Sequence, residues 1–112
     1  MIENYRFGQL TIDGRTFTDD VIIYPDRVDG GWWRKQGHSL CMADLADVVE
    51  FGPDVLVIGT GASGRMQVPD PVRRALSDQG IEPRVATTRE ACDIYNELAG
   101  EQNAVAALHL TC

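Results

Sequence analysis

Two stretches of the chain carry residue types at spacings that suit ligand chemistry. The first is Val55-Leu56-Val57-Ile58-Gly59-Thr60-Gly61-Ala62-Ser63-Gly64, an apolar run followed by a literal G-x-G-x-x-G. In a dinucleotide fold such glycines permit a tight turn and let a pyrophosphate approach a helix N-terminus. Here the helix signal comes late. Arg65-Met66-Gln67-Val68-Pro69 intervenes before Asp70-Pro71, a natural helix start, so the pyrophosphate would lack its helix dipole. About 20 residues on, where an acid should hold the ribose, stand Thr87, Thr88 and Arg89. Arg89 suits a 2′-phosphate, which keeps NADP chemistry as a minor alternative. Two plainer readings of Gly59, Thr60, Gly61, Ser63 and Gly64 are an anion-receptive nest of backbone N–H groups and a tight structural turn.

The second stretch is Gly30-Gly31-Trp32-Trp33-Arg34-Lys35-Gln36-Gly37-His38, which holds both tryptophans and the only lysine. In extended backbone, adjacent tryptophans face opposite ways, so one can be buried while the other covers a surface. Arg34 and Lys35 donate to anions and His38 titrates near neutrality. Trp33, Arg34, Lys35 and His38 therefore face Gly59–Gly64 as the two expected walls of one pocket, against a plainer reading of packing tryptophan and solvated bases. His38 or His109 with Cys41 or Cys112 has the composition of a thiol–imidazole pair, but nothing in the spacing joins them. No metal-ligand spacing, cofactor motif or G-x-S-x-G elbow is present, so neither a metal nor a cofactor is expected.

The elements that must position these residues read as one α/β domain spanning 1–112. Arg6 to Ile12 is strand-like. Asp13-Gly14 is a two-residue hairpin signal, and Arg15 to Thr18 returns. Val21 to Tyr24 is a β-branched and aromatic run ended by Pro25-Asp26, and Arg27 to Arg34 reads as an irregular strand. Ala43 to Glu50 is a short helix. Val55 to Ile58 is apolar throughout, as a strand covered on both faces should be. A helix capped by Asp70 runs to about Gln79. Strand Ile81 to Thr87 leads into a helix to Ala99, with Thr87 and Glu90 as a capping box. Ala104 to Leu110 is apolar except for His109 and reads as a central strand. Alternating strands and helices predict a three-layer arrangement: a central mixed sheet flanked by helices, with the N-terminal antiparallel strands as an extension.

Charge narrows the partners. Seventeen acids against ten bases give the 112-residue chain a net charge of −7, which repels phosphate backbones and argues against nucleic acid. Against that background, Arg27, Arg34 and Lys35 form a basic island interrupted only by Asp29. No apolar run reaches the roughly 20 residues that span a bilayer, so membrane insertion is not expected. Cys41, Cys92 and Cys112 are odd in number and lack C-x-x-C spacing, as expected of reduced, mostly buried thiols in a cytoplasmic protein.

In order, the segments Phe7-Gly8, Ile12-Asp13-Gly14, Val21-Ile22-Ile23-Tyr24-Pro25, Trp32-Trp33-Arg34, Gly37-His38, Gly59-Thr60-Gly61, Thr87 with Ala91, Tyr95-Asn96-Glu97-Leu98 and Ala106-Ala107-Leu108-His109 are similar to one known family. It comprises small archaeal and bacterial proteins of unknown function, with eukaryotic relatives that include the mitochondrial respiratory complex I assembly factor three and an adipogenesis-associated protein. The resemblance covers nearly the whole chain and implies a three-layer α/β fold with a central mixed sheet. It carries over no catalytic residue. Its eukaryotic members act through protein partners, while the sequence before the first strand lacks an Arg- and Ser-rich targeting segment, so a cytoplasmic prokaryotic member is expected. The leading expectation is a non-enzymatic interaction or assembly module that docks a protein partner. The alternative is a binder of a small anionic ligand, or an enzyme acting on one.

Overall fold

The structure, a computed structural model, describes residues 1–112. Strands β1 (Ile2–Arg6), β2 (Gln9–Ile12) and β3 (Arg15–Phe17) form a separate antiparallel sheet in sequence order. The central sheet contains β4 (Val21–Tyr24), β5 (Arg27–Asp29), β6 (Val55–Gly59), β7 (Glu82–Ala86) and β8 (Ala104–Leu108), in the order β5-β4-β8-β6-β7. β6 runs parallel to β7 and β8, whereas β4 is antiparallel to β8 and β5, so the sheet is mixed as the alternation predicts.

Side chains alternate across a strand, so β8 serves two cores at once. Ala104, Ala106 and Leu108 face a core shared with Val55 and Val57, with Ala91, Cys92 and Tyr95 of α3 (Thr88–Leu98), and with Ile2, Tyr5, Leu10 and Ile12 of the small sheet. Val105 and Ala107 face a second core with Leu56, Ile58, Val72 and Leu76, the last two from α2 (Asp70–Asp78). Val48 of α1 (Ala46–Phe51), Leu45, Trp32, Leu40 and Met66 complete that core. The result is three layers, with α3 and the small sheet on one face and α1, α2 and the 30–42 segment on the other. Small alanines along β8 let both layers approach the sheet closely.

Several local expectations are corrected. The strand read over Arg6–Ile12 is broken at Phe7-Gly8 into β1 and β2, because Ile2, Tyr5, Leu10 and Ile12 must all reach the same core. Asp13 (φ 49°) and Gly14 (φ 77°) both take positive φ, as the predicted two-residue turn requires. The strand read over Arg27–Arg34 stops at Asp29, where its carboxylate accepts the Gly31 N–H at 3.0 Å and turns the chain. The helix read over Ala43–Glu50 is a 3-10 turn (Met42–Leu45) followed by α1. Asp70 lies inside α2, with Pro69 at the cap. Thr87 does occupy the α3 cap, but its hydroxyl donates to the Glu90 carboxylate (2.7 Å) and caps no backbone N–H; the Thr88 N–H donates to the Gly61 carbonyl (3.1 Å). The last strand ends at Leu108, because the Leu110 N–H turns to the Asp20 carboxylate (2.7 Å).

Of the three cysteines only Cys92 is buried; Cys41 and Cys112 are half-buried. Burial, with the neighbouring Asp93 carboxylate, pushes the Cys92 thiol up to about 12. Native protein treated with a maleimide is expected to be labelled at Cys41 and Cys112, with Cys92 reacting only after unfolding. Mass spectrometry of the labelled peptides checks this, and native labelling of Cys92 would contradict the packing of α3.

Candidate functional site

The antiparallel register aligns Val21 with Leu108, which sets Asp20 and His109 beside one another just past the paired residues. His109 follows Ala107 in the alternation and turns toward the second core, where Arg34 arrives from the tryptophan segment. Asp20 Oδ2 accepts from Arg34 Nη1 (2.8 Å) and from His109 Nδ1 (2.9 Å), while Oδ1 accepts the Leu110 N–H. Arg34 Nη2 donates to the Gly37 carbonyl (3.2 Å), and the guanidinium lies over the Trp32 ring at 4.7 Å. All three side chains are largely withdrawn from water, with Asp20 the most open at 18%.

Burial alone would raise the Asp20 carboxyl, but hydrogen bonds from His109, the Leu110 N–H and Arg34 outweigh it and bring it down to about 2. Asp20 is therefore ionised and can only accept, so His109 Nδ1 must donate to it, although Arg34 Nη2 also lies 3.1 Å from that nitrogen. Nε2 of His109 and Nε of Arg34 are buried without a partner. The exposed His38 ring stands edge-on to His109, with centroids 6.2 Å apart. An aspartate that fixes the histidine tautomer has the composition of an acid–base pair, yet Nε2 is sealed from solvent. In this geometry the trio locks the end of β8 to the start of β4 and to the 34–37 loop.

The two sequence stretches do become neighbours. The Gln67 N–H donates to the His38 carbonyl (2.7 Å), the Leu40 N–H to the Gln67 carbonyl (2.9 Å), and the His109 N–H to the Gly59 carbonyl (3.0 Å). They do not enclose a shared hollow: none of the surface clefts is lined by residues 59–64. The donors of the glycine loop are also spoken for. The Thr60 N–H bonds to the Ala86 carbonyl, Gly61 to Thr88 Oγ1, Ala62 to the Thr111 carbonyl, and Ser63 and Arg65 both to the Cys112 backbone oxygen. Gly64 N–H returns to Gly61 and Met66 N–H to Thr60. What the loop cradles is the 111–112 backbone.

The tryptophans divide as extended backbone predicts. Trp32 is buried and its indole N–H donates to the Asp44 carbonyl (3.0 Å). Trp33 is 75% exposed, between a cleft that leads to Lys35 and Asp47 and another that leads to Asp19 and Thr111. The basic island is taken apart: Arg34 goes inside, and Arg27 lies over Tyr24 (4.1 Å) and bonds to Asp26. Lys35 is left at the surface.

Sequence reasoning missed Asp20, which sits in Thr18-Asp19-Asp20 and reads there as a turn acid. One signal was available. An acid immediately before an all-apolar strand and a lone histidine inside another apolar run are each costly unless they meet.

Residues 2–110 match the model of a family described as proteins of unknown function (DUF498/DUF598). The chain belongs to that family. Solved structures similar to this DUF498/DUF598 chain include a conserved hypothetical protein, PH1505, from Pyrococcus horikoshii OT3. It is 30% identical, the match covers 100% of this chain and 99% of that one, and the TM-score is 0.85. The protein MT938 is 26% identical, with 100% and 98% covered and a TM-score of 0.83. A Bordetella pertussis protein described as an Mth938-like domain shares the fold at 19% identity, with 97% and 84% covered and a TM-score of 0.77. No helix of this DUF498/DUF598 member is long and apolar enough to cross a membrane.

Proposed function

We propose that the protein is a non-enzymatic interaction module that docks a protein partner through the face around Trp33. One observation carries the reading: a large aromatic ring stands 75% exposed between two buried neighbours. Its neighbours on either side, Trp32 and Arg34, are both buried and bonded, so the Trp33 backbone is held in place before any partner arrives. Rigid, exposed tryptophan is among the residue types enriched at the energetic centres of protein interfaces, since it offers much area at little entropic cost. The sequence resemblance to a family whose eukaryotic members, complex I assembly factor three among them, act through protein partners supports the same reading by analogy. The three unpaired cysteines are in keeping with work in a reducing, cytoplasmic setting.

The anion-binding alternative draws less support, because the loop donors are engaged and Arg34 is committed to Asp20. Trp33→Ala tests the docking reading. The variant is expected to keep the wild-type melting temperature and to lose at least about tenfold in affinity for the partner recovered with the wild-type chain. Undiminished partner binding by a folded Trp33→Ala chain would overturn it.

A further inference from the structure

Two shallow clefts that share lining residues lie between the β4–β5 pair and α1. The first, about 400 Å³, is walled by Tyr24, Arg27 and Asp29 of the sheet and by Asp47, Glu50 and Phe51 of α1. The second, about 290 Å³, shares Asp29 and Asp47 with it and continues to Lys35 and the ring of Trp33. The groove is negative. Neither Asp47 nor Glu50 enters any ion pair, and Asp29 spends one oxygen on the Gly31 N–H. Of the two cations along it, Arg27 is held over Tyr24 and Phe51 and bonded to Asp26.

The strand beside this groove is an open edge. β5 ends the central sheet and is hydrogen-bonded on one side only. Two other edges, β7 and β1, are closed to pairing by specific devices. β7 carries Pro83, which has no N–H to offer, and the Ile2 N–H and carbonyl of β1 are both bonded by the Asn96 side chain. β5 has neither device. An extended segment added to such an edge gains main-chain hydrogen bonds, and its alternate side chains fall on one face.

We propose that this groove docks an extended, Lys- and Arg-bearing segment of a partner protein. The segment pairs along β5, its alternate cations meet Asp29, Asp47 and Glu50, and one of them rests on the face of Trp33. The inference rests on the docking role of Trp33 and names the chemistry of what docks. A second copy of the chain would bring the same sign of charge to the groove, and nucleic acid would be repelled.

The full chain, titrated with a short blocked peptide alternating Lys and Val, is expected to show saturable binding that weakens with salt. The Trp33 emission and the amide resonances of residues 27–29 should shift together. The same peptide with Glu for Lys should not bind, and Asp47→Lys with Glu50→Lys should weaken the Lys peptide about tenfold or more. Equal binding of the Glu peptide, no loss on charge reversal, or no saturable binding of the Lys peptide would each overturn the proposal. The native partner separates the two readings. If Trp33→Ala loses it while the charge-reversed chain keeps it, docking stands and the basic segment falls. If Trp33→Ala keeps it, the docking reading itself falls.

Discussion

Asp20→Ala is expected to destabilise the fold by about 3–5 kcal/mol, the loss typical when one partner of a buried ion pair is removed and the other charge stays behind. Arg34 would lose its carboxylate while its guanidinium remained enclosed between Trp32 and Gly37. His109 Nδ1 and the Leu110 N–H would lose their acceptor in the same step. Urea denaturation measures the effect. Replacing Arg34 by Met in the same chain should recover part of the loss, because no stranded charge is then left inside. If the double variant is no better than the single one, the ion pair is not the cause. The pH dependence follows from the same contacts. Asp20 titrates at about 2 in the folded chain against 3.8 as its ordinary value. Its contribution is therefore complete above about pH 4 and is lost as the pH falls toward 2. The difference amounts to about 2 kcal/mol. The acid limb of the stability curve should accordingly be shallower in Asp20→Ala than in the wild type.

Gly61→Ala should cost about 2–5 kcal/mol from two sources. Gly61 has φ 107°, a backbone region that side-chain-bearing residues avoid, and an added Cβ would lie 2.2 Å from the Cys112 carbonyl carbon. Backbone, not a flexible side chain, fills that space, so residues 111–112 must move. Moving them breaks the bonds from Ala62, Ser63 and Arg65. Hydrogen exchange should therefore quicken at those three amides while the β6 amides stay protected. Unchanged exchange at Ala62 and Ser63 would refute the cradle.

The contrast between those two sites shows what was legible in the sequence. β6 and β8 are continuous apolar runs, and such runs need apolar cover on both faces, so the central sheet and its layers followed from pattern alone. The Asp13-Gly14 turn followed from the only local geometry those residues favour. The buried polar trio did not, because Asp20, Arg34 and His109 are brought together by strand register and a loop return. Their individual neighbourhoods carry no mark of it. The glycine loop misled for a related reason. G-x-G-x-x-G specifies backbone freedom, not the identity of what approaches the backbone, and here that is the 111–112 segment. The basic island dissolved because charge counted along a chain ignores which side chains turn inward.

The place of β8 has a consequence for how the chain reaches its native state. It is the eighth strand to leave the ribosome, yet it lies between β4 and β6 and is the shared wall of both cores. Until it emerges, β4–β5 and β6–β7 can exist only as two separate pairs with bare flanks, and Asp20 and Tyr5 wait for His109 and the Leu110 carbonyl. Nascent chains arrested before residue 104 should thus remain protease-sensitive throughout. Release of the final segment should then confer resistance on the N-terminal and C-terminal halves in a single step.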